Sequence, residues 1–315
     1  MAVVGRLAPS PTGHLHLGHA RSFLIAWWSA RSQGGRLVLR IEDLDTPRVH
    51  PALADDCVRD LEWLGLDWDV GPRKQSDGLE AIVAAAERLH RMGLTYPCIC
   101  SRGDLKAAAG APQEGVEEVR YAGTCRGKFT SRDQASTASG KQAAMRFAVK
   151  YGLTVVNDAF CGRHEFDIST NVGDFPVLRR DGSPAYQLAV VVDDASDGVT
   201  EVVRGDDLLP SAARQQLLYD ALGLPIPRWV HIPLVTDSGG RRLAKRADDL
   251  SLRQLRERGL DPKAIVRWVA GSIGCPCEGL PDVREVTSLF RLQTIPRSRV
   301  ATATEEPGSI WLARH

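Results

Sequence analysis

Gly5-Arg6-Leu7-Ala8-Pro9-Ser10-Pro11-Thr12-Gly13 runs into His14-Leu15-His16-Leu17-Gly18-His19, and the order of residue types in this stretch decides the fold. A short apolar segment comes first, a Pro/Gly-rich loop at Ala8 to Gly13 follows, and from Ala20 to Arg31 apolar residues recur at helical spacing. The reading is strand, loop, helix. A loop that leaves a strand and enters a helix presents unpaired N–H groups and a partial positive charge, which together favour phosphate. Imidazoles at His16 and His19 can donate hydrogen bonds to phosphate oxygens, and Gly18 has no Cβ to hold a flat base away from the backbone. The competing reading is that the two histidines merely cap the helix or pack on the surface.

Outward from this loop, Gly34-Gly35 ends the helix, and Arg36 to Ile41 alternates as a strand that runs into the acidic turn Glu42-Asp43-Leu44-Asp45. A strand–helix–strand unit of this length favours a parallel sheet with a right-handed crossover. Residues 51–64 and 78–92 read as amphipathic helices. Cys98 to about Lys141 has weak periodicity and reads as an inserted module, loosest around Ala107 to Glu118. Ala143 to Val149 and Gly152 to Val156 alternate as strands, and the nearly continuous apolar run Tyr186 to Val192 suits a strand buried on both faces. Helical patterns follow at Leu208 to Leu222, Leu252 to Arg258 and from Pro262 onward, with a Gly-Gly-containing loop at Thr236 to Arg246.

The 315 residues allow two or three structural units, and 43% hydrophobic with 25% charged residues is the mixture of a soluble globular protein. A formal charge of +1 announces no nucleic-acid partner, so RNA binding would need a locally basic face. The N-terminus lacks a signal-peptide pattern and no apolar run approaches a bilayer span, so a cytoplasmic protein away from membranes is expected. Seven cysteines, four of them in two Cys-x-Cys pairs, suit thiols or metal ligands better than disulfides. Cys57 and Cys161 read as packing residues and the Cys275-Pro276-Cys277 pair as structural or incidental.

The nucleotide loop has company in Arg40-Ile41-Glu42-Asp43-Leu44-Asp45-Thr46, in Gly182-Ser183-Pro184-Ala185-Tyr186-Gln187-Leu188 with its continuation to Asp194, and in Val202-Val203-Arg204-Gly205-Asp206-Asp207-Leu208-Leu209. In this order the blocks resemble class I glutamyl-tRNA synthetases over roughly residues 5–250. The resemblance implies an α/β, Rossmann-type class I synthetase catalytic domain with an inserted zinc/acceptor-type module and a short C-terminal helical region. The corresponding division is catalytic domain at 1–96 and 186–255, inserted module at 97–185, and helical segment with tail at 256–315. It assigns glutamate binding to Arg6, Leu7, Ala8, Pro9, Ser10, Glu42, Tyr186 and Arg204, with the arginines serving carboxylate, Glu42 the ammonium and Tyr186 a wall. Those types match the substrate's charges. Taken alone, the acidic turn could equally cap a helix, and Arg204 could pair with Asp206 or Asp207.

The same resemblance puts ATP on His16, Gly18, His19, Arg242 and Lys245, with His16, His19 and Lys245 catalytic and Mg2+ accompanying the nucleotide. Arg242-Leu243-Ala244-Lys245-Arg246 departs from the family's Lys-Met-Ser-Lys-Ser loop, since Arg242 replaces a lysine and Ala244 a serine. Cys98, Cys100 and Cys125 supply three thiols, one short of a closed zinc site. By resemblance to the short, queuosine-directed branch of the family, Tyr121 is the fourth ligand of one structural Zn2+. Residues 246–315 leave no room for the anticodon-reading region of a full-length family member. By that resemblance the chain is expected to activate L-glutamate without tRNA and transfer it to queuosine in the anticodon of tRNA(Asp), and a monomer is expected although nothing in the sequence fixes the oligomeric state. The alternatives are a shortened enzyme charging tRNA(Glu), a nucleotidylyltransferase acting on a small molecule, and a non-catalytic tRNA-binding relative.

Overall fold

The computed structural model describes residues 2–45, 48–101, 103–105, 120–236 and 251–301. The expected loose region around Ala107 to Glu118 and the lysine loop with Arg242 and Lys245 lie outside the described residues. In chain order the first part runs β1 (Val4–Leu7), α1 (Leu17–Arg31), β2 (Arg36–Ile41), α2 (Pro51–Trp63), β3 (Val70–Lys74), α3 (Leu79–Arg91) and β4 (Thr95–Cys98). The middle adds α4 (Arg132–Ser139), β5 (Ala144–Phe147), β6 (Leu153–Asp158), β7 (Gly162–Asp167), β8 (Phe175–Leu178) and α5 (Tyr186–Ser196). Then come β9 (Glu201–Gly205), α6 (Leu209–Leu222), β10 (Arg228–Ile232), β11 (Val235–Thr236), α7 (Leu252–Glu257), α8 (Pro262–Ser272), α9 (Val283–Thr287) and β12 (Val300–Ala301). Among the described residues no helix is long and apolar enough to cross a membrane.

The opening strand–helix–strand unit is present as expected, with β1 and β2 parallel from Val4↔Arg36 to Leu7↔Leu39 and β3 parallel on the far side of β2. Helix α1 begins at Leu17, earlier than its apolar repeat, because His16 caps it. At the other end Gly34 takes φ +64°, and a Cβ on Gly35 would sit 2.6 Å from the Val3 carbonyl oxygen, so the turn back under β1 requires glycine there. On the other flank of β1 lies β9, held by Thr200 N–H donating to the Val4 carbonyl (2.9 Å) and Val4 N–H donating to Thr200 Oγ1 (2.9 Å). Strand β10 pairs in parallel with β9, and β6 of the β6–β7 hairpin continues the sheet beyond β10. Strand β1 therefore has β2 on one side and β9 on the other. The connections diverge there, which opens a crevice at the carboxyl ends of the strands. A separate antiparallel sheet, β4-β5-β8, carries Cys98 at the end of β4.

One expectation is overturned. Tyr186 to Val192 is not a strand but the first turns of α5, whose residues Leu188 to Asp194 are all buried. A continuous apolar run carries no periodicity, so a helix covered on all sides and a strand covered on both faces look alike in sequence. The helix packs against α3 and α6 in the second of two large cores, while α1 anchors the first together with α8 and α9.

The acidic end of α5 is buried by pairing. Fully buried Arg40 on β2 donates to Asp194 Oδ1 (2.6 Å) and Asp197 Oδ2 (2.8 Å), while Arg73 on β3 holds Asp193 and Asp197. Burial alone would lower the Arg40 pKa, yet Asp194, Glu42 and Asp193 hold it above its ordinary range. Removing one partner from such a network leaves an uncompensated charge in the interior. Arg40→Met should therefore cost about 3–5 kcal/mol in denaturant unfolding, and a loss below about 1 kcal/mol would contradict this account.

Candidate active site

A cleft of about 390 Å³ opens where β1, β2 and β9 end, and Arg6, Ser10, His16, His19, Glu42 and Tyr186 all face it together with Arg204. Ala8, Pro9 and Gly18 line it too. Leu7, counted with them from the sequence, instead turns its side chain into the core with 0% exposure. The ends flanking residues 237–250 are fixed at the rim: Val235 lines the cleft, Ser251 forms a β-bridge with His16, and Leu252 N–H donates to the Leu15 carbonyl (2.8 Å).

The capping reading of the two histidines holds, and both rings also line the cleft. His16 Nδ1 accepts from Gly18 N–H (3.1 Å) and His19 Nδ1 accepts from His16 N–H (3.2 Å), a reciprocal cap on α1. The rings stack with centroids 3.8 Å apart. A ring nitrogen that accepts carries no proton, so in the neutral imidazole the proton sits on Nε2. The cap thus fixes tautomers whose Nε2–H is a donor. Gly18 also leaves room for the His16 ring, since a Cβ there would lie 3.0–3.1 Å from it.

Charge in the cleft is mixed. Arg6 extends from β1, donates to the Val203 carbonyl (3.1 Å) and stands 3.8 Å from Asp194. Glu42 follows β2, where its N–H donates to the Pro9 carbonyl (2.9 Å) and its Oε2 lies 3.4 Å from Ser10 Oγ. Burial pushes the Glu42 carboxyl up from its ordinary value against the pull of Arg40 and Arg6. Asp43 does not cap α2, the helix that follows it, but accepts from Ser76 N–H (2.8 Å) and Oγ (2.7 Å) after β3, so the acidic turn divides between a structural residue and one facing the cleft.

Arg204 makes no ion pair with Asp206 or Asp207. Its Nε donates to His231 Nε2 (3.0 Å), its Nη2 to the Leu208 carbonyl (3.3 Å), and its guanidinium lies 5.1 Å from the centre of the Trp229 ring. His231 on β10 is fully buried, and its Nδ1 lies 2.6 Å from Asp158 Oδ2 at the end of β6. Burial, then Arg204 and Arg6, lower the His231 pKa to about 4 despite Asp158. Sequence reading missed both residues. The available signal was a histidine inside the apolar strand Trp229-Val230-His231-Ile232, a position that requires a polar partner.

At the end of β4 the structure gathers the other predicted group. The Sγ atoms of Cys98, Cys100 and Cys125 lie within 4.8 Å of one another. Tyr121 Oη stands 3.4 Å from Cys98 Sγ and 3.6 Å from Cys100 Sγ, and accepts from Cys125 N–H (2.7 Å). Three thiols and a phenol converging at these distances fit a four-coordinate metal. Arg146 on β5, not singled out from the sequence, donates to Cys98 Sγ (3.3 Å) and lies 4.1 Å from the Tyr121 ring centre, where its charge opposes that of thiolates. Burial pushes the Tyr121 phenol well up, so ligation would need the cation itself to displace the proton. Beside this group a second cleft of about 940 Å³ is lined by Arg120, Arg146, Arg179, Arg180 and Arg214 and reaches Tyr186 of the first.

A Rossmann-type sheet with a capped histidine loop and a pocket of both charge signs defines a class I amino-acid-activating fold. The chain belongs to the family of class I tRNA synthetases (E and Q), whose catalytic-domain model matches residues 2–301, and is thus a ligase of the aminoacyl-tRNA synthetase family. It is 45% identical over 293 residues to the glutamyl-Q tRNA(Asp) synthetase of Rhodopirellula baltica, covering 87% of this chain and 86% of that one. It is 44% identical to the protein of the same name from Symbiobacterium thermophilum, covering 96% of each. Among solved structures, a glutamate tRNA ligase from Elizabethkingia meningosepticum in complex with its amino acid superposes with a TM-score of 0.81 at 25% identity, over 97% of this chain and 68% of that one.

The His231 site has a pH signature. The unfolded imidazole binds a proton below about pH 6.5 while the folded one does so only near pH 4, so its stabilising contribution is present above 6.5 and lost as pH falls through that window. Asp60, raised to about 6 by burial, acts in the opposite sense but is common to a His231→Gln variant. The stability of the wild type relative to that variant should fall by about 3 kcal/mol from pH 7 to pH 4. Urea unfolding at both pH values measures it, and a constant difference would refute the assignment.

Proposed function

We propose that this chain is a cytoplasmic enzyme that activates L-glutamate with ATP as glutamyl-adenylate and transfers it to the queuosine base in the anticodon of tRNA(Asp). The observation that carries the reading is a cleft with arginines and a carboxylate set beside a phosphate-type loop, in a chain that matches relatives named for this activity over nearly their whole length. Arg6 and Arg204 serve the substrate's carboxylates. Glu42 takes the ammonium, whose charge would offset the burial that now raises the Glu42 carboxyl. Ala8, Pro9 and Ser10 form the adjoining wall, with Leu7 packed in the core behind it, and Tyr186 closes the pocket.

The α-carboxylate is ionised at neutral pH, so it needs no general base. One of its oxygens attacks the α-phosphorus of ATP in line, a P–O bond forms, and pyrophosphate leaves with the electron pair of the broken bond. What remains for the protein is positioning and charge stabilisation. His16 and His19 donate through Nε2 to the phosphoryl oxygens, Gly18 admits the nucleotide, and Arg242 and Lys245 add cationic contacts alongside Mg2+ held by the phosphates.

The arginine-lined second cleft supports an RNA partner despite the near-neutral net charge, because counter-charge to phosphates is local. The decisive experiment incubates the protein with labelled glutamate and ATP, and offers tRNA(Asp) with queuosine, tRNA(Asp) lacking it, and tRNA(Glu). Label on the first alone is expected; label on tRNA(Glu) identifies a charging enzyme instead, the reading favoured by likeness to a glutamate tRNA ligase. Zn2+ is proposed on Cys98, Cys100, Tyr121 and Cys125. The purified protein should contain about one zinc per chain, and Cys125→Ser should lose most of it. Metal analysis showing none in an active wild type would remove the site.

A further inference from the structure

The environment of Arg204 is unusual for an arginine that is only 5% exposed. Among the described residues no carboxylate lies within salt-bridge distance of its guanidinium. Its hydrogen bonds go to two neutral acceptors, His231 Nε2 and the Leu208 carbonyl oxygen, and Nη1 is buried without a hydrogen-bond partner. An unmade bond at a buried charged donor costs folding energy unless a ligand supplies the acceptor. Arg204 is thus fixed in direction yet not neutralised, and it lines the cleft that Glu42 and Arg6 share.

The neutral acceptor has a cause. For His231 Nε2 to accept from Arg204, its proton must sit on Nδ1, and Asp158 Oδ2 at 2.6 Å receives it there. Asp158 is itself immobilised by four N–H contacts: Oδ1 accepts from Phe160 (2.8 Å) and Cys161 (2.7 Å), and both oxygens lie close to His231 N–H (3.0 and 3.3 Å). The carboxylate's negative charge therefore acts one residue removed from the arginine. Had an acidic side chain touched Arg204 directly, the pocket would have lost much of the positive charge that separates a carboxylate from an amide.

From this geometry we infer that His231, locked in one tautomer by Asp158, is the positioning residue that aims an un-neutralised Arg204 at the substrate carboxylate and so sets the preference for glutamate over glutamine. Neither residue touches substrate. The inference rests on glutamate activation as proposed above and deepens it.

Glutamate-dependent pyrophosphate exchange by the purified full chain tests it without tRNA. His231→Asn keeps a donor near Nδ1 for Asp158 and removes the acceptor of Arg204; His231→Gln keeps an acceptor near Nε2. Asp158→Asn sets an amide donor against the Nδ1 proton and favours the wrong tautomer. His231→Asn and Asp158→Asn should raise KM for glutamate by about tenfold or more, with kcat and KM for ATP changed less than about threefold, as expected for loss of binding made through one charged hydrogen bond. The ratio of kcat/KM for glutamate over glutamine should fall by a similar factor, and His231→Gln should restore most of both.

A folded His231→Asn protein with glutamate KM within about twofold of wild type overturns the inference, as does a parallel loss in kcat and in both KM values, which marks a merely structural role. If His231→Asn does not fold, the same split read from Asp158→Asn decides, and a glutamate KM for His231→Gln raised as far as theirs also overturns it. Absence of glutamate-dependent exchange in the wild type is a different result and refutes the proposed function itself.

Discussion

The fully buried pair of Arg40 and Asp194 is the constraint on which the site depends. Arg40 belongs to β2, in the first half of the chain, and Asp194 to α5, more than a hundred residues later. Their contact lies directly beneath the cleft: Asp194 also faces Arg6, and Arg40 reaches Glu42 at 3.5 Å. Ions taken from water are tolerated only when geometry and further hydrogen bonds compensate them, and here Asp197, Arg73, Asp193 and Gln75 supply most of those bonds, leaving Arg40 Nε and Asp194 Oδ2 without one. The floor of the pocket is in this way a rigid ionic lattice rather than an apolar layer, and the orientation of Glu42 and Arg6 follows from it.

Above that floor, His16, His19, Arg204 and Arg6 are each held through part of their side chain by the protein itself. The Nδ1 atoms of His16 and His19 are spent on the cap of α1, which dictates where their protons lie. Arg204 is held through Nε and Nη2. Arg6 is tied through Nη1 to the Val203 carbonyl. Preorganisation of this kind matters when the reaction offers no proton transfer to exploit, since a displacement at phosphorus by an ionised carboxylate gains from fixed dipoles and charges above all.

Much of this was legible from residue order alone. The loop from Ala8 to His19 and the strands on either side of α1 followed from residue types that lie close together in sequence, whereas Glu42, Tyr186 and Arg204, far apart in the chain, were brought to one pocket by the family resemblance and not by any local pattern. The fold of the Tyr186 segment was not legible, because its apolar run ends in Asp193 and Asp194, and whether those acids are solvated or buried depends on arginines at 40 and 73 that no local pattern connects to them. His231 and Asp158 escaped for the same reason. They are 73 residues apart, on adjacent strands β10 and β6, and only the parallel pairing at Trp229↔Asp158 brings them together. Tyr121 was named through family likeness, whereas Arg146, its partner in space, sits at an inward position of a short strand that reads as ordinary alternation.

The separate sheet β4-β5-β8 ends in the sulfur cluster, whose donor set would suit a metal. Among the described residues, the core around its sulfur cluster contains four buried residues, Tyr96, Cys98, Tyr121 and Cys125, far fewer than either large core. An apolar cluster of that size stabilises little on its own, and small modules commonly rely on a metal or cross-link for the remainder. A dication with three thiolates and a phenolate would carry net negative charge, which makes Arg146 more than packing: its contacts to Cys98 and to the Tyr121 ring place a cation where that excess would develop. The same Arg146 lines the arginine-rich cleft that continues to Tyr186. Cys100 and Tyr121 of the sulfur cluster line that cleft as well, so order at the cluster and the placement of positive charge beside Tyr186 are features of one continuous surface.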